Sequence, residues 1–356
     1  MLCLNMPARD YDAIVVGASF GGLAVARQLR GEVLLLDRNE VGSVQTSACG
    51  TPLWVPVNLG VRDSVLQVHD WLEVRTPTRT VRYDLSSVPF CTFDYRAFCE
   101  GLLAQCRVRF LRTSVLGIQD GAVVTGEGRF TARIIVDCSG WRRAITGGTA
   151  FEPGRHHSFG LETHTPLEDQ GLTFLLDRRL IPQGLGWIFP VGKGSLVGLG
   201  SYAGRSKLKP ALERLLRDHG TAAGSYHGTY FPNRLLRPTV GGMFAVGDAA
   251  GQCLPLTAEG IRPALYFGGE CGRIVQRILE GGHSVEAGLE TYRRLVARYR
   301  RPYRVLQFAQ WMAAHTPTRW FAMVTQLAAT RPFLPRWWPR YGRFGRAERS
   351  GVPAAT

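Results

Sequence analysis

The chain has 356 residues, 45% of them hydrophobic and 20% charged, with a formal net charge of +15. Such a composition excludes a disordered or fibrous chain, and the length allows a large core and two interleaved domains. No run of about 18 uncharged apolar residues occurs, which excludes a helical membrane span. Only Lys193, Lys207 and Lys209 are lysines, so the basicity belongs to arginine. The arginines are scattered, without zinc spacing, a helix-turn-helix pattern or an RNP-like aromatic strand, and this argues against a nucleic-acid module. Three readings of the charge stay open: an anionic membrane surface, a phosphorylated or carboxylated substrate, and a solvated surface. The eight cysteines form no CxxC pair and no regular framework. The leader 1–10 is too short and polar for export, with Met6 an alternative start. The expected compartment is therefore the reducing cytoplasm, with most thiols small core residues.

In chain order, residues 11–37 come first: a strand, a glycine turn, a helix and a second strand ending in an acid. Residues 14–16 suit a buried parallel strand. Gly17 lets the backbone turn into a helix beginning near Phe20, whose N-terminus is an anion site for pyrophosphate. Gly22 permits close helix and strand packing. Residues 33–36 form the second strand, and Asp37, beside Arg38, is placed to accept from ribose hydroxyls. Ser19 stands where a second glycine would let backbone approach the pyrophosphate most closely; a small hydroxyl still fits. The pattern implies an adenine dinucleotide without separating FAD from NAD.

Residues 42–60 read as a loop and 63–71 as a short helix. Alternation predicts a strand over 78–85, helical spacing covers 93–106, and strands are expected at 108–110, 115–118, 122–125 and 129–131. Residues 134–138 form a buried strand that returns to the nucleotide-binding sheet and leads into a small-residue turn with Gly140. From 159 to 230 the pattern becomes alternating β segments, among them 172–176, 187–189 and 196–200, with one helix at 210–219. A short strand at 242–246 precedes Gly247. One long helix is expected over 258–280, then helices to about residue 329 with breaks at Pro302 and Pro317.

Asp248 decides between the dinucleotides. FAD lies extended, so a carboxylate far along the chain is needed for the ribityl hydroxyls, while a following helix N-terminus supports the flavin's electron-rich pyrimidine edge. Asp248 suits the first role, and the turn 256–260 into the next helix, with Gly260 and Ile261, suits the second. The predicted fold is α/β, with a Rossmann-like FAD-binding domain over 8–60, 90–150 and 238–282. An antiparallel-sheet substrate domain (61–89 and 151–237) is inserted into it, followed by a C-terminal helical region (283–346) and a disordered tail (347–356).

The motifs GASFGG, DCSGWRR, GWIFP and GDAAGQCLPLTAEGI together resemble the FAD-dependent p-hydroxybenzoate-hydroxylase-like oxidoreductases, and within them the geranylgeranyl reductase family most of all. Cys49-Gly50 stands where those reductases carry a Cys-Gly pair near the flavin. Residues 251–261 resemble their PLTGEGI segment, with Ala258 replacing its glycine. Residues 187–190 match part of a Tyr-x-Trp-x-Phe-Pro cavity motif, with Leu185 at the tyrosine position. The resemblance implies a substrate cavity lined by Leu185, Trp187, Phe189, Pro190 and Pro255. It also implies that Arg96 approaches the flavin or pyrophosphate and that Val115 meets the adenine through its backbone.

Saturating an isoprenoid double bond with reduced FAD needs a hydride at one carbon and a proton at the other, in a dry cavity. Cys49 is the first candidate proton donor and Glu259 the second. His156, His157 and His164 lack metal spacing, and no metal is expected. The reductant is NAD(P)H binding transiently, or a ferredoxin. Two rivals stay open: an FAD monooxygenase of aromatic or polyketide-like substrates, and a flavin-bound peripheral membrane or partner-binding protein using residues 300–346. A halogenase is disfavoured because the chain lacks that family's Trp-x-Trp-x-Ile-Pro element.

Overall fold

The computed structural model describes residues 10–45, 47–147, 156–317, 320, 323, 341, 342 and 344. The expectations for Met6, for Phe321, Trp337 and Trp338, and for the tail at 347–356 fall outside the described residues.

In chain order the first elements are β1 (Tyr11–Val16), α1 (Phe20–Ala26), β2 (Val33–Asp37), β3 (Gly50–Pro52), α2 (Trp54–Asn58), β4 (Val65–His69), β5 (Trp71–Arg75) and β6 (Thr80–Asp84). Next come β7 (Phe90–Phe93), α3 (Tyr95–Leu103), β8 (Arg109–Arg112), β9 (Val115–Gln119), β10 (Ala122–Thr125), β11 (Gly128–Phe130), β12 (Ala132–Asp137), β13 (His157–Thr165) and β14 (Leu172–Leu175). The remainder are β15 (Gly184–Pro190), β16 (Ser195–Ser201), α4 (Lys209–Asp218), β17 (Tyr226–Pro232), β18 (Thr239–Val240), β19 (Met243–Ala245), α5 (Ile261–Leu279), α6 (Val285–Ala297) and α7 (Arg300–His315).

Two sheets carry the architecture. The first runs β18-β19-β12-β1-β2-β8 and is parallel from β19 to β8. β1 and β2 are almost wholly buried, as a parallel sheet covered on both faces requires. On one side α1 and α5 pack backbone to backbone. A Cβ on Gly268 would sit 2.6 Å from the Gly21 carbonyl oxygen, and one on Gly272 2.6 Å from that of Val25. The second sheet, β17-β13-β16-β15-β14-β5-β6, is antiparallel except between β14 and β5. Its two faces follow from the period of two. Ile188, Val197 and Leu199 meet Leu212, Leu215 and Leu216 of α4, while Phe189 joins the main core together with Phe20, Phe93 and Phe98.

Three local expectations are corrected. The predicted loop at 42–60 contains β3 and α2, because residues 50–52 pair with β7. The predicted helix at 63–71 is a single 3-10 turn (Arg62–Ser64) followed by β4, which pairs antiparallel with β7. Helix α5 starts at Ile261 rather than 258, because Leu256 and Ala258 have φ of 70° and 54°. The break expected at Pro302 falls at 298–299, between α6 and α7, and leaves Pro302 in the first turn of α7, where its missing N–H has no intrahelical partner to lose.

Candidate functional site

The carboxyl ends of β1, β2, β12 and β19 meet at one edge of the parallel sheet, where open α/β folds bind their ligands. Gly17 leaves β1 at φ 104°, and a Cβ there would lie 2.2 Å from the Cys138 carbonyl oxygen. Gly22 is more constrained still, with a Cβ placed 1.7 Å from the Gly17 carbonyl oxygen. Ser19 does not cap α1; its hydroxyl lies 3.0 Å from the Tyr95 hydroxyl. Asp37 closes the turn by accepting from Ala18 N–H and Asn39 N–H, each at 2.8 Å. Arg38 beside it is exposed. The Asp37 carbonyl accepts from Thr113 N–H at 2.7 Å, which brings Val115 alongside.

The second half of the edge comes from β12 and β19. Buried Asp137 fixes the turn after β12 by accepting from Ser139 and Thr146. Gly140 follows at φ 78°, with open space on the side where a Cβ would stand. This turn packs against residues 247–250. Asp248 is half-buried there, and among the described residues no group donates to its carboxylate. Burial pushes its carboxyl up from 3.8 to about 7. A carboxyl in that condition wants hydroxyl donors, which is what a ribityl chain supplies. Gly260, at the N-terminus of α5, has its Cβ position 3.9 Å from Asp248 Oδ1. These residues fit FAD. Arg96 is exposed on α3, next to Tyr95, whose hydroxyl meets Ser19, and its backbone supports the loop at Gly42, whose Cβ would be 2.8 Å from Arg96 Cα.

The candidate donor and cavity residues lie where the two sheets touch. A Cβ on Gly50 would lie 3.0 Å from the Phe189 ring, so the Cys49-Gly50 loop rests on β15. Leu185, Trp187 and Phe189 project from the same side of β15, and Leu185 is covered by Tyr202 and by Ala314 of α7. The Pro190 carbonyl accepts from Thr92 and belongs to this frame. Pro255 is buried in the turn before α5.

Cys49 is 1% exposed, has a φ of 54°, and donates its thiol to the Ser47 carbonyl at 3.2 Å. Burial pushes that thiol well above its ordinary range. Proton release would strand a thiolate among apolar groups, so the thiol is a poor acid. Glu259, the second candidate, is tied into a clamp. Arg262, 1% exposed, grips it with two bonds of 2.7 and 2.6 Å, and Tyr341 donates to it at 2.6 Å. The Glu259 side chain clamps the turn to residue 341.

The structure supplies a pair that the sequence reading missed. Glu162 of β13, its side chain 4% exposed, lies 2.6 Å from His227 Nε2 of β17 and accepts from the Trp187 indole at 2.8 Å. The three side chains share one row across β17, β13, β16 and β15, and the place between them is Gly198. A Cβ on Gly198 would lie 2.2 Å from the Trp187 ring and 2.8 Å from Glu162 Cβ. Gln45 extends the row toward the flavin loop, donating to the Ser47 carbonyl at 2.8 Å and lying 3.4 Å from Glu162. His156, His157 and His164 do not gather; His164 Nε2 meets the Lys193 carbonyl and His157 packs beside Trp141.

The positive φ of Ala258 carries a prediction. A side chain with a Cβ is disfavoured there by about 1 kcal/mol, so Ala258→Gly should raise the unfolding temperature by a degree or more, read by calorimetry. A lower temperature would show that the turn is not strained.

No family model matches the chain. Its fold is that of the FAD-dependent oxidoreductases. It superposes on a geranylgeranyl bacteriochlorophyll reductase-like protein of Thermoplasma acidophilum with a TM-score of 0.80 and 18% identity, over 90% of this chain and 92% of that one. A myxobacterial FAD-dependent halogenase shares the fold at a TM-score of 0.65 and 20% identity, over 94% and 96% of the two chains. In sequence, the relatives are digeranylgeranylglycerophospholipid reductases. That of Methanocaldococcus jannaschii is 30% identical over 140 residues, 36% of this chain and 35% of its own, so the chain spans about a third of that relative. Reductase 2 of Methanopyrus kandleri is 29% identical over 330 residues, 80% of this chain and 81% of its own. The resemblance to geranylgeranyl reductases thus holds in both sequence and fold. Among the described residues no helix is long and apolar enough to cross a membrane, and no cluster of His, Cys, Asp and Glu is arranged to hold a metal ion.

Proposed function

We propose that the chain is an FAD-dependent reductase of carbon-carbon double bonds in an isoprenoid lipid or quinone side chain, with NAD(P)H or a ferredoxin as electron source. Bound FAD, once reduced, supplies the hydride. Gly17, Ser19, Phe20 and Gly22 receive the pyrophosphate, Asp37 the ribose, and Asp248 the ribityl hydroxyls. Leu185, Trp187 and Phe189 hold the apolar chain and exclude water. Glu162 engages His227 at Nε2, which leaves Nδ1 as the ring nitrogen that would deliver a proton to the substrate carbon. The 29% exposure of the His227 side chain lets it recover a proton from solvent.

The observation that carries this reading is the apolar row of β15 lying against the Cys49-Gly50 loop, with a buried acid and a partly exposed imidazole beside Trp187. The test is anaerobic turnover with dithionite and prenylated lipids of several lengths in deuterated water. Each saturated bond should gain one hydrogen pair, both of them deuterium, because dithionite supplies only electrons and the flavin takes its transferable hydrogen from solvent. Failure with every chain length overturns the reductase. Products gaining oxygen in air would assign the site to the hydroxylase alternative.

A further inference from the structure

Helix α7 is amphipathic in the wrong sense for a helix packed on a globular core. Its inward side is tied down by polar groups: Gln310 accepts from Leu256 N–H at 2.8 Å, Gln307 donates to the Asn233 carbonyl at 2.9 Å, and Tyr303 donates to the Gln252 carbonyl. Its outward side carries Val305, Phe308, Trp311 and Met312, exposed by 67, 65, 55 and 42%. Positions 305, 308 and 312 share one helix face, and Trp311 stacks on Phe308 with ring centroids 6.1 Å apart. A contiguous apolar stripe facing water is unfavourable and marks a binding surface.

Charge says what binds it. A groove of about 930 Å³ along the N-terminal half of α7 is lined by Arg234, Arg237, Arg293, Arg300 and Arg304, and no acidic residue lines it. Arg293 pairs with Glu290 at 2.7 Å. Among the described residues, the side chains of Arg234, Arg237, Arg300 and Arg304 have no hydrogen-bond or ion-pair partner. Arg300 and Arg304 are four apart at the N-terminus of α7, whose first turn has no acid. Like charges at that spacing repel, and a helix N-terminus disfavours cations. The arrangement becomes favourable when an external anion faces it. A second copy of the chain would bring the same arginines and repel, and a nucleic acid gains nothing from Val305 and Met312.

We propose that α7 lies in the surface of an anionic lipid bilayer. Val305, Phe308, Trp311 and Met312 reach the acyl-chain boundary, while Arg234, Arg237, Arg300 and Arg304 meet headgroup phosphates. This goes beyond the reductase reading and does not require it. If the substrate is a lipid, the docked face is also where it would enter, since Ala314 of the same helix covers Leu185 and Tyr202.

The test uses the flavin-loaded full chain with vesicles of phosphatidylcholine, with and without phosphatidylglycerol. Sedimentation with the anionic vesicles, reversed by salt, is expected. Arg300→Ala with Arg304→Ala should weaken it on the order of 30-fold, at about fivefold per basic residue. Phe308→Ser with Trp311→Ser should abolish it, and bromine-labelled lipid should quench wild-type fluorescence more than that of Trp311→Phe. All of these variants should turn over detergent-dispersed substrate like wild type, so a failed reductase reading and a failed docking reading give different results. Absent binding, equal binding by the variants, or a dimer that Phe308→Ser dissolves would each overturn the proposal.

Discussion

In flavin-free protein, Asp248→Asn is expected to stabilise the fold near pH 8 by up to about 4 kcal/mol and to change little near pH 4. The sign follows from the carboxyl's displacement from 3.8 to about 7. Between those values the folded state holds a proton that the unfolded state releases, so stability from this group is present at low pH and is lost as pH rises toward 7. Asparagine stays neutral and escapes the loss. The same substitution should weaken FAD binding at least about tenfold, because a hydrogen bond to a charged group contributes about 1.5–3 kcal/mol. Calorimetry across the pH range and flavin titration read the two effects, which run in opposite directions. A variant that gains no stability at pH 8, or that binds FAD as tightly as wild type, would remove Asp248 from the site.

Glu162→Gln should lower turnover by about 10²–10⁴, the range for loss of a positioned acid, with FAD content and substrate KM nearly unchanged. Glutamine keeps the shape and still accepts from the Trp187 indole, but it cannot hold a charged imidazole at His227. Adding His227→Gln should cost little more, because the two residues act as one unit. Single-turnover oxidation of reduced flavin by substrate isolates the step. If Glu162→Gln turns over normally while Cys49→Ser does not, the thiol is the donor after all.

What could be read from the chain is what local sequence encodes. The unit β1, α1, β2 with Gly17 and Asp37 is contiguous, and its apolar runs are long enough to declare buried strands. Asp248 follows a short hydrophobic strand and a glycine, so its place could be named from a distance. The misread parts are those fixed by distant partners. Residues 63–71 have apolar positions that fit a helix turn, yet pairing with β7 makes 65–69 a strand. Glu162 looks like one acid in an alternating strand. Its meaning comes from Trp187 and His227, 25 and 65 residues away, which only the assembled sheet brings to it. Glu259 sits at a helix opening in the sequence, and its clamp to Arg262 and Tyr341 could not be seen until the chain returned at residue 341.

The gap at Gly198 bears on how this face of the sheet can diverge. An indole and a carboxylate occupy the volume that a side chain at 198 would fill, so the three positions are locked as a set. Homologues with alanine at that place should carry a smaller ring than tryptophan opposite, or should have lost the acid. Size of the ring at 187 and possession of the acid at 162 are, in this architecture, inherited together.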